Sequence, residues 1–421
     1  MDFRALPSGD YTLANVTVPA CLLGQEGDLV RTELSIVDGR IGPPQGVAVD
    51  MGGALVLPCF TDMHTHLDKG HIWGRAPNPD GTFMGALTTV AADRAANWSA
   101  EDVRRRMDFS LRCAFAHGTR AVRTHLDSLP PQDGITWPVF RELREDWAGR
   151  IALQGVCLVG CDAMDPEGAF RDTADIVAAS GGVLGMVTYP VADLEARLEG
   201  FFRLAAERGL AADFHVDETM DPESETLRAI AKTVIETGFE AAVTVGHLCS
   251  LSTQTEARAL DTLDLVAKAG LNIVSLPMCN LYLQDRQAGR TPRGRGITLV
   301  QEARARGINV CFASDNTRDP FYAYGDMDMI EVMREATRIG HLDHGETGWV
   351  QSFGANPARA CGFDTQDLTE GAPADLVICR ARSWTEFFAR PQADRIVLRD
   401  GRAIDRTLPD YAELDTLMRT A

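Results

Sequence analysis

The sequence predicts an α/β fold: a (β/α)8 TIM-like barrel with a small β-sandwich domain formed by the N- and C-terminal segments. Through the middle of the 421-residue chain, apolar runs of strand length alternate with amphipathic stretches of helical length. This alternation is typical of a parallel sheet covered by helices. At both ends of the chain, short strand-like runs are each too thin to bury a core. We therefore expect a β-sandwich domain at 1–57 plus 363–421 and a barrel at 58–362.

The terminal segments are predicted to contribute strands to one shared domain. Near the N-terminus the candidates are Tyr11–Val18 and Glu33–Ile41, and the Asp38-Gly39 pair within the second indicates a hairpin turn. Near the C-terminus the candidates are Ala374–Cys379 and Arg395–Arg402. Because neither pair can cover itself, we expect the two pairs to pack together.

The barrel prediction depends on counting strands. The apolar run Ala54–Phe60, just before His64, is the expected first strand, and seven more follow at Ala121–Thr124, Ile151–Val159, Val183–Val187, Ala211–Phe214, Ala242–Val245, Asn272–Ser275 and Asn309–Ala313. Helices are expected between them, among others at Ala100–His117, Leu194–Arg208, Glu223–Thr237, Thr253–Ala269 and Thr298–Arg306. Eight strands close a barrel. An open doubly wound sheet would alternate in the same way, but no G-x-G-x-x-G motif follows an early strand.

Composition and charge restrict the function classes. A net charge of −19 argues against nucleic acids and anionic membranes as partners, since both would repel the protein. The N-terminal residues lack the pattern of a signal peptide, and no apolar run is long enough to span a bilayer. The ten cysteines contain no C-x-x-C pair, which is typical of buried reduced thiols. We expect a cytoplasmic enzyme with a small-molecule substrate.

Polar residues follow several of the predicted strands, where a barrel places its active site. In His64-Thr65-His66, alternation along a strand points both imidazoles to the same face. Further candidates follow later strands: His215, Glu218, His247 and Asp315. A single histidine at a strand end is more often a structural residue, but this joint placement predicts convergence at the barrel mouth.

These residue types predict metal-assisted hydrolysis at an sp² carbon. Three imidazoles (His64, His66 and His215) and the Asp315 carboxylate could hold one divalent ion and leave a position open for water. Metal binding lowers the pKa of that water toward about 7 and makes hydroxide available at neutral pH. Glu218 could carry the proton to the leaving group. His247 could stabilise the developing oxyanion or orient the hydroxide.

The ordered set of motifs resembles the amidohydrolase superfamily and, within it, the cytosine deaminase group. The resemblance runs from about Leu57 to Gly362 and rests on Pro58-x-x-Thr61-Asp62-x-His64-x-His66-Leu67-Asp68, His215-Val216-Asp217-Glu218, His247, Asp315, Val122-Arg123-Thr124-His125-Leu126-Asp127 and Asn280-Leu281-Tyr282-Leu283-Gln284-Asp285-Arg286. It implies one zinc or iron ion held by His64, His66, His215 and Asp315. It also implies Glu218 as acid/base, assisted by His247 and by Asp315, which doubles as a proton acceptor.

The departures from that group bear on the substrate. A glutamine that holds the pyrimidine edge after the third strand is missing around Gly160, and Asn316 stands where a second aspartate is usual. Phe321 replaces a stacking tryptophan, and the loop 69–83 differs, bringing Lys69 and Phe83. We expect these five residues to contact substrate. Loss of a paired amide contact is costly for selectivity, so a substituted pyrimidine, pterin or s-triazine fits better than cytosine.

Three functions compete on these residues. The first is a hydrolytic deaminase that releases ammonia from an amino-substituted N-heterocycle. The second is an amidohydrolase that cleaves a cyclic amide or an N-alkyl amine, and the third is a non-catalytic ligand-binding protein of the same fold. No lysine follows the fourth predicted strand, Val183–Val187, where binuclear relatives carry one, so one metal is expected. A homo-oligomer is compatible with this architecture. His125 is expected either to line the pocket or to make a structural hydrogen bond.

Overall fold

A computed structural model describes residues 3–343 and 347–418. Its strands are β1 Tyr11–Pro19, β2 Leu29–Val37, β3 Arg40–Gly42, β4 Val47–Asp50, β5 Leu55–Pro58, β6 Phe60–Thr65, β7 Thr119–Asp127, β8 Ala152–Leu158, β9 Leu184–Thr188, β10 Ala212–Val216, β11 Val243–His247, β12 Asn272–Ser275, β13 Val310–Phe312, β14 Leu376–Cys379, β15 Ile396–Arg399 and β16 Arg402–Ala403. Its α-helices are α1 Phe83–Asn97, α2 Ala100–His117, α3 Asp133–Asp146, α4 Ala169–Ala179, α5 Leu194–Arg208, α6 Thr226–Thr237, α7 Glu256–Ala269, α8 Pro277–Leu283, α9 Val300–Ala305, α10 Met329–Gly340, α11 Ala355–Cys361 and α12 Trp384–Ala389.

Strands β6 to β13 form the predicted (β/α)8 barrel. One parallel sheet has the order β6-β7-β8, and a second has the order β13-β12-β11-β10-β9. Bridges between Val156 and Val183 and between Gly160 and Val187 join β8 to β9. A bridge between Thr65 and Asp315 joins the end of β6 to the segment after β13 and closes the ring. The carboxyl ends of all eight strands therefore surround one mouth.

The expected position of the first barrel strand is wrong. Of the apolar run Ala54–Phe60, the part Leu55–Pro58 is β5, which pairs antiparallel with β14 in the terminal sheet. The barrel strand β6 begins only at Phe60, so that His64 lies within the strand rather than beyond it. Both segments are largely buried. A continuous apolar run therefore does not indicate at which residue the chain leaves one sheet and enters the next.

The two ends of the chain share one sheet, as predicted. Its strand order is β16-β15-β14-β5-β1-β2-β3, with β4 paired to β1. The β2–β3 and β15–β16 turns lie at opposite ends of this strand order, yet they are in contact. The sheet is therefore strongly curved, so that its two ends meet as in a sandwich. A Cβ added to Gly401, which has a φ of 71°, would lie 3.1 Å from the Gly39 Cα atom. The division into domains at 57/58 and 362/363 stays a prediction.

The terminal sheet packs against the turn between α2 and β7. Helix α2 begins after Ser99, whose hydroxyl accepts a hydrogen bond from the Asp102 amide, and it ends at Gly118 with a φ of 97°. A Cβ at Gly118 would lie 2.6 Å from a methyl carbon of Val377 in β14. Only glycine allows both this conformation and this close approach.

A largely buried ion pair joins the terminal sheet to the start of α10. The Arg395 guanidinium, just before β15, donates to both carboxylate oxygens of Asp328, at 2.7 and 2.6 Å. Asp328 also caps α10 by accepting from the Ile330 amide. None of the helices in the described ranges is long and apolar enough to cross a membrane.

We predict that Arg395→Met lowers the free energy of unfolding by about 3–5 kcal/mol, because it leaves the buried Asp328 carboxylate without its cation. Urea unfolding followed by tryptophan fluorescence measures the effect. The control is Arg402→Met, since Arg402 is exposed on β16 of the same sheet. Equal unfolding midpoints for the two variants would contradict the prediction.

Candidate active site

All of the predicted metal ligands and acid/base residues lie together at the barrel mouth. His64 lies in β6 and His66 just after it, His215 lies in β10, and His247 ends β11. Asp315 follows β13 and is held beside β6, because its amide donates to the His64 carbonyl at 2.9 Å. These five side chains are buried. Five residues from four separate segments of the chain thus meet because the barrel closes.

The spacing of the ligand atoms fits a single ion. The His215 Nε2 atom lies 3.1 Å from His64 Nε2 and 3.2 Å from His66 Nε2. The Asp315 Oδ1 atom lies 3.3 Å from His66 Nε2 and 3.7 Å from His64 Nε2. Ligand atoms placed tetrahedrally at about 2.1 Å from one zinc ion are about 3.4 Å apart. The donor set therefore has both the chemistry and the spacing that a divalent metal requires.

The unmet hydrogen-bonding capacity of this cluster supports the same fit. Among the described residues, no nitrogen or oxygen donor hydrogen-bonds to either carboxylate oxygen of Asp315, and the Nδ1 atoms of His64, His66 and His215 are also unpartnered. A buried carboxylate without partners is costly, and a bound cation would remove that cost. Burial lowers the pKa of all three imidazoles well below the usual value and thereby favours the neutral form that binds metals.

The backbone around the cluster is strained. Asp217, His247 and Asp315 have φ values of 48°, 73° and 65°, in the left-handed region that side-chain-bearing residues rarely adopt. Each residue lies at or just after the end of a barrel strand. Such strain concentrates at functional sites, where the surrounding structure over-determines the geometry.

Glu218 reaches the same mouth from the segment after β10. Its Oε1 atom lies 3.4 Å from His247 Nδ1 and 3.4 Å from Asn280 Nδ2. Burial, reinforced by the nearby Asp315 carboxylate, raises the pKa of Glu218 well above its usual value. Burial also raises the pKa of Asp315 to about 8. A carboxyl group with a raised pKa beside a metal-binding cluster is suited to proton transfer near neutral pH.

The residues predicted to contact substrate lie on loops around the mouth, with different partners. The Lys69 ammonium donates to Asp127 at 2.8 Å and lies 5.7 Å from the centre of the Phe321 ring. The Phe83 and Phe321 rings meet edge to face, with centroids 5.5 Å apart. These two rings form an aromatic wall beside a buried cation.

Asn316 and Gly160 are more constrained than the sequence indicated. The Asn316 amide donates to Asp319 at 2.7 Å, and the Asp319 carboxylate also accepts from the Phe321 and Tyr322 amides. This arrangement fixes the loop after β13. A Cβ at Gly160 would lie 2.6 Å from an Asp162 carboxylate oxygen and 2.9 Å from the Tyr189 hydroxyl oxygen, so a larger residue there requires these two side chains to move.

Sequence reasoning missed several buried partners of the site. Asp127, which binds Lys69, also binds Arg94, and the Asp68 carboxylate accepts from the Asp127 amide at 2.7 Å. The motif that contains Asp127 and the motif that begins with Asn280 did indicate that these segments belong near the site. A motif does not reveal, however, which distant side chain each residue meets.

His125 makes the structural contact that was one of its two expected roles. Its Nε2 atom lies 3.2 Å from Asp213, whose other carboxylate oxygen accepts from Arg123 at 2.8 Å. The His125 ring also packs against His64, with centroids 4.1 Å apart, and it belongs to a group of four histidines whose spacing could hold an ion. An ion pair thus lies directly beneath the cluster.

Known proteins are similar to this chain over almost its whole length. A sequence model described as the amidohydrolase family matches residues 168–405. The chain is 52% identical over 423 residues to a pterin deaminase from Rhizobium rhizogenes (strain K84), and the match covers 97% of each chain.

Solved structures share its architecture. The structure of 5-methylcytosine deaminase from Klebsiella pneumoniae with 5-fluorocytosine superposes with a TM-score of 0.79 at 26% identity, covering 94% of this chain and 97% of that one. N-isopropylammelide isopropylaminohydrolase from Burkholderia multivorans superposes with a TM-score of 0.71 at 24% identity, covering 95% and 100%. The second likeness concerns the fold alone. Together the two superpositions include both the barrel and the terminal sheet.

Proposed function

This chain belongs to the amidohydrolase family, and we propose that it is a metal-dependent deaminase of a pterin. The observation that carries the proposal is the 52% identity to a pterin deaminase across 97% of both chains. The cluster of buried imidazoles and carboxylates at the barrel mouth supports it independently. In the reaction, water adds to the amino-bearing ring carbon, the carbon–nitrogen bond breaks, and ammonia leaves as a ring carbonyl forms.

We assign the metal-binding role to His64, His66, His215 and Asp315. The His215 Nε2 atom and the Asp315 Oδ1 atom each lie within 3.7 Å of the Nε2 atoms of His64 and His66. This spacing fits one divalent ion, and zinc and iron both accept this donor set. When bound, the ion supplies Lewis acidity that makes water a nucleophile at neutral pH.

Glu218 and His247 handle the charge that develops during addition and elimination. Glu218 accepts a proton from the attacking water and delivers it to a ring nitrogen and then to the departing amine. Its raised pKa makes both transfers accessible near neutrality. His247 donates a hydrogen bond to the oxygen on which negative charge accumulates. Asp315 serves as a second proton acceptor beside the water.

The loops around the mouth offer contacts for a flat heterocycle. Phe83 and Phe321 offer an aromatic wall for a flat ring system, and Lys69 offers a cationic donor to a ring carbonyl. Gly160 has no side-chain amide that could hydrogen-bond to the edge of a pyrimidine. Contacts of the ring with Gly160 and with Asn316 complete the proposed pocket.

We predict that the purified protein holds about one equivalent of zinc or iron, and that a chelator removes both the ion and the activity. His215→Ala should lose the ion because it removes a ligand. His341→Ala, which changes an exposed histidine after α10, should retain it. Metal analysis of the three proteins is the measurement. Two equivalents in the unaltered protein would contradict a mononuclear site.

We predict that Glu218→Gln abolishes turnover while the metal stays bound, since glutamine keeps the shape of the side chain but cannot carry the proton. Rates of ammonia release and metal content are the measurements. Glu223→Gln makes the same change on an exposed side chain five residues later and should leave the rate unchanged. Substantial activity of Glu218→Gln would exclude the proton-transfer role.

We predict that, in a screen for released amine, pterin has the highest kcat/KM among pterin, cytosine, 5-methylcytosine, guanine and amino-s-triazines. The released amine should be ammonia, in equal amount to the heterocycle in which a ring carbonyl has replaced the amino group. Preferred release of isopropylamine from N-isopropylammelide would instead support the N-alkyl amine alternative. Absence of turnover with every compound, in protein loaded with metal, would support the non-catalytic alternative.

A further inference from the structure

The short helix α8 places one amide group between Glu218 and His247. The Asn280 Nδ2 atom lies 3.0 Å from His247 Nδ1 and 3.4 Å from Glu218 Oε1. Asn280 and His247 are each 1% exposed. The next residue after the helix, Gln284, donates to the Glu218 carbonyl at 3.2 Å. Helix α8 therefore supports both residues that handle charge in the proposed reaction.

The orientation of the Asn280 amide follows from its two partners. The ionised Glu218 carboxylate, the form able to accept a proton, can only accept hydrogen bonds. An amide turned the other way would point its oxygen at the Glu218 oxygen and place two acceptors against each other. Opposite the ionised form of Glu218, the amide nitrogen therefore faces Glu218 Oε1, and the same nitrogen faces His247 Nδ1.

This contact selects one tautomer of His247. A neutral imidazole carries its hydrogen on one nitrogen and a lone pair on the other, and the hydrogen bond at one nitrogen decides the state of the other. Because Asn280 donates to Nδ1, the ring hydrogen is on Nε2. Among the described residues nothing hydrogen-bonds to His247 Nε2, although it is buried.

We propose that Asn280 is a positioning residue that holds His247 in the Nε2–H tautomer, so that this N–H is the donor presented to the reacting oxygen. The proposal rests on the proposed function for its catalytic consequence, although the tautomer itself does not. The opposite tautomer would present a lone pair to developing negative charge and would repel it. The role is one of positioning because the Asn280 side chain contacts His247, at 3.0 Å, and Glu218, at 3.4 Å.

Substitutions at Asn280 separate this role from simple packing. Asn280→Asp keeps the size of the side chain but replaces the donor with an acceptor, which demands a hydrogen on Nδ1 and leaves Nε2 bare. Asn280→Ala removes the contact and leaves both tautomers accessible. We expect kcat to fall about 100-fold to 1000-fold in Asn280→Asp and less in Asn280→Ala, with KM near its original value in both. A packing role predicts the reverse order, because alanine leaves the larger void.

The direct measurement is NMR of the ring nitrogens in full-length, metal-loaded protein labelled with ¹⁵N-histidine. The His247 signals are assigned by their loss in His247→Gln. In the unaltered protein we expect a protonated Nε2 and a bare Nδ1, and in Asn280→Asp we expect the opposite pattern. Asn15→Asp, which makes the same chemical change at an exposed position in β1, should leave the ring signals unchanged.

A bare Nε2 in the unaltered protein would overturn the proposal, as would a His247 pattern that Asn280→Asp leaves unchanged. If Asn280→Asp does not fold, the spectrum of the unaltered protein still decides the tautomer, and Asn280→Ala gives the dependence on Asn280. Failure of the proposed function has a separate signature: no pterin turnover in a protein that shows the expected ring pattern.

Discussion

Closure of the barrel between its first and last strands is the constraint on which the site depends. The Asp315 amide donates to the His64 carbonyl at 2.9 Å, and this hydrogen bond belongs to the bridge that completes the ring. The residues that close the barrel are thus also proposed metal ligands. A shift of one residue in this pairing would turn the Asp315 side chain to the other face. The fold and the donor set consequently cannot vary independently.

The free-energy cost of burying polar groups below the mouth is offset by ion pairs and hydrogen bonds among them. Arg123 and Asp213 form an ion pair with side chains 2% and 0% exposed, and Asp62 accepts from both the amide and the hydroxyl of Ser314. The Asp62–Ser314 contact again joins β6 to the segment after β13. Paired charges in this layer avoid the penalty of isolated ones. In the cluster above them, no nitrogen or oxygen donor among the described residues hydrogen-bonds to the Asp315 carboxylate, which is the physical reason to expect a cation there.

The sequence predicts local features well where local chemistry decides them. The predicted bounds of α2 and α5 agree with the structure, because serine, glycine and apolar periodicity mark where α2 begins and both helices end. The candidate ligands were identifiable because strand ends share one mouth. The boundary between β5, in the terminal sheet, and β6, in the barrel, was not predictable, since both strands are apolar and buried. The contact of Asn280 with His247 also depends on where α8, which follows β12, lies relative to the end of β11, which no local pattern encodes.

The same closure allows the proposed substrate contacts to vary while the proposed metal ligands stay in place. Barrel closure makes the loops after β6 and β13 neighbours, and they are joined by hydrogen bonds from the His71 amide to Thr317 and from the Trp73 amide to Arg318.

The Asn78 side chain adds a third link between these loops by donating to the Pro320 carbonyl at 3.0 Å. Lys69 and Phe83 lie at the ends of one loop, and Asn316 and Phe321 lie on the other. Four of the five proposed substrate contacts therefore form one connected surface. We expect changes within that surface to alter which ring fits, whereas His64, His66 and His215 lie in or directly after the strands beneath it.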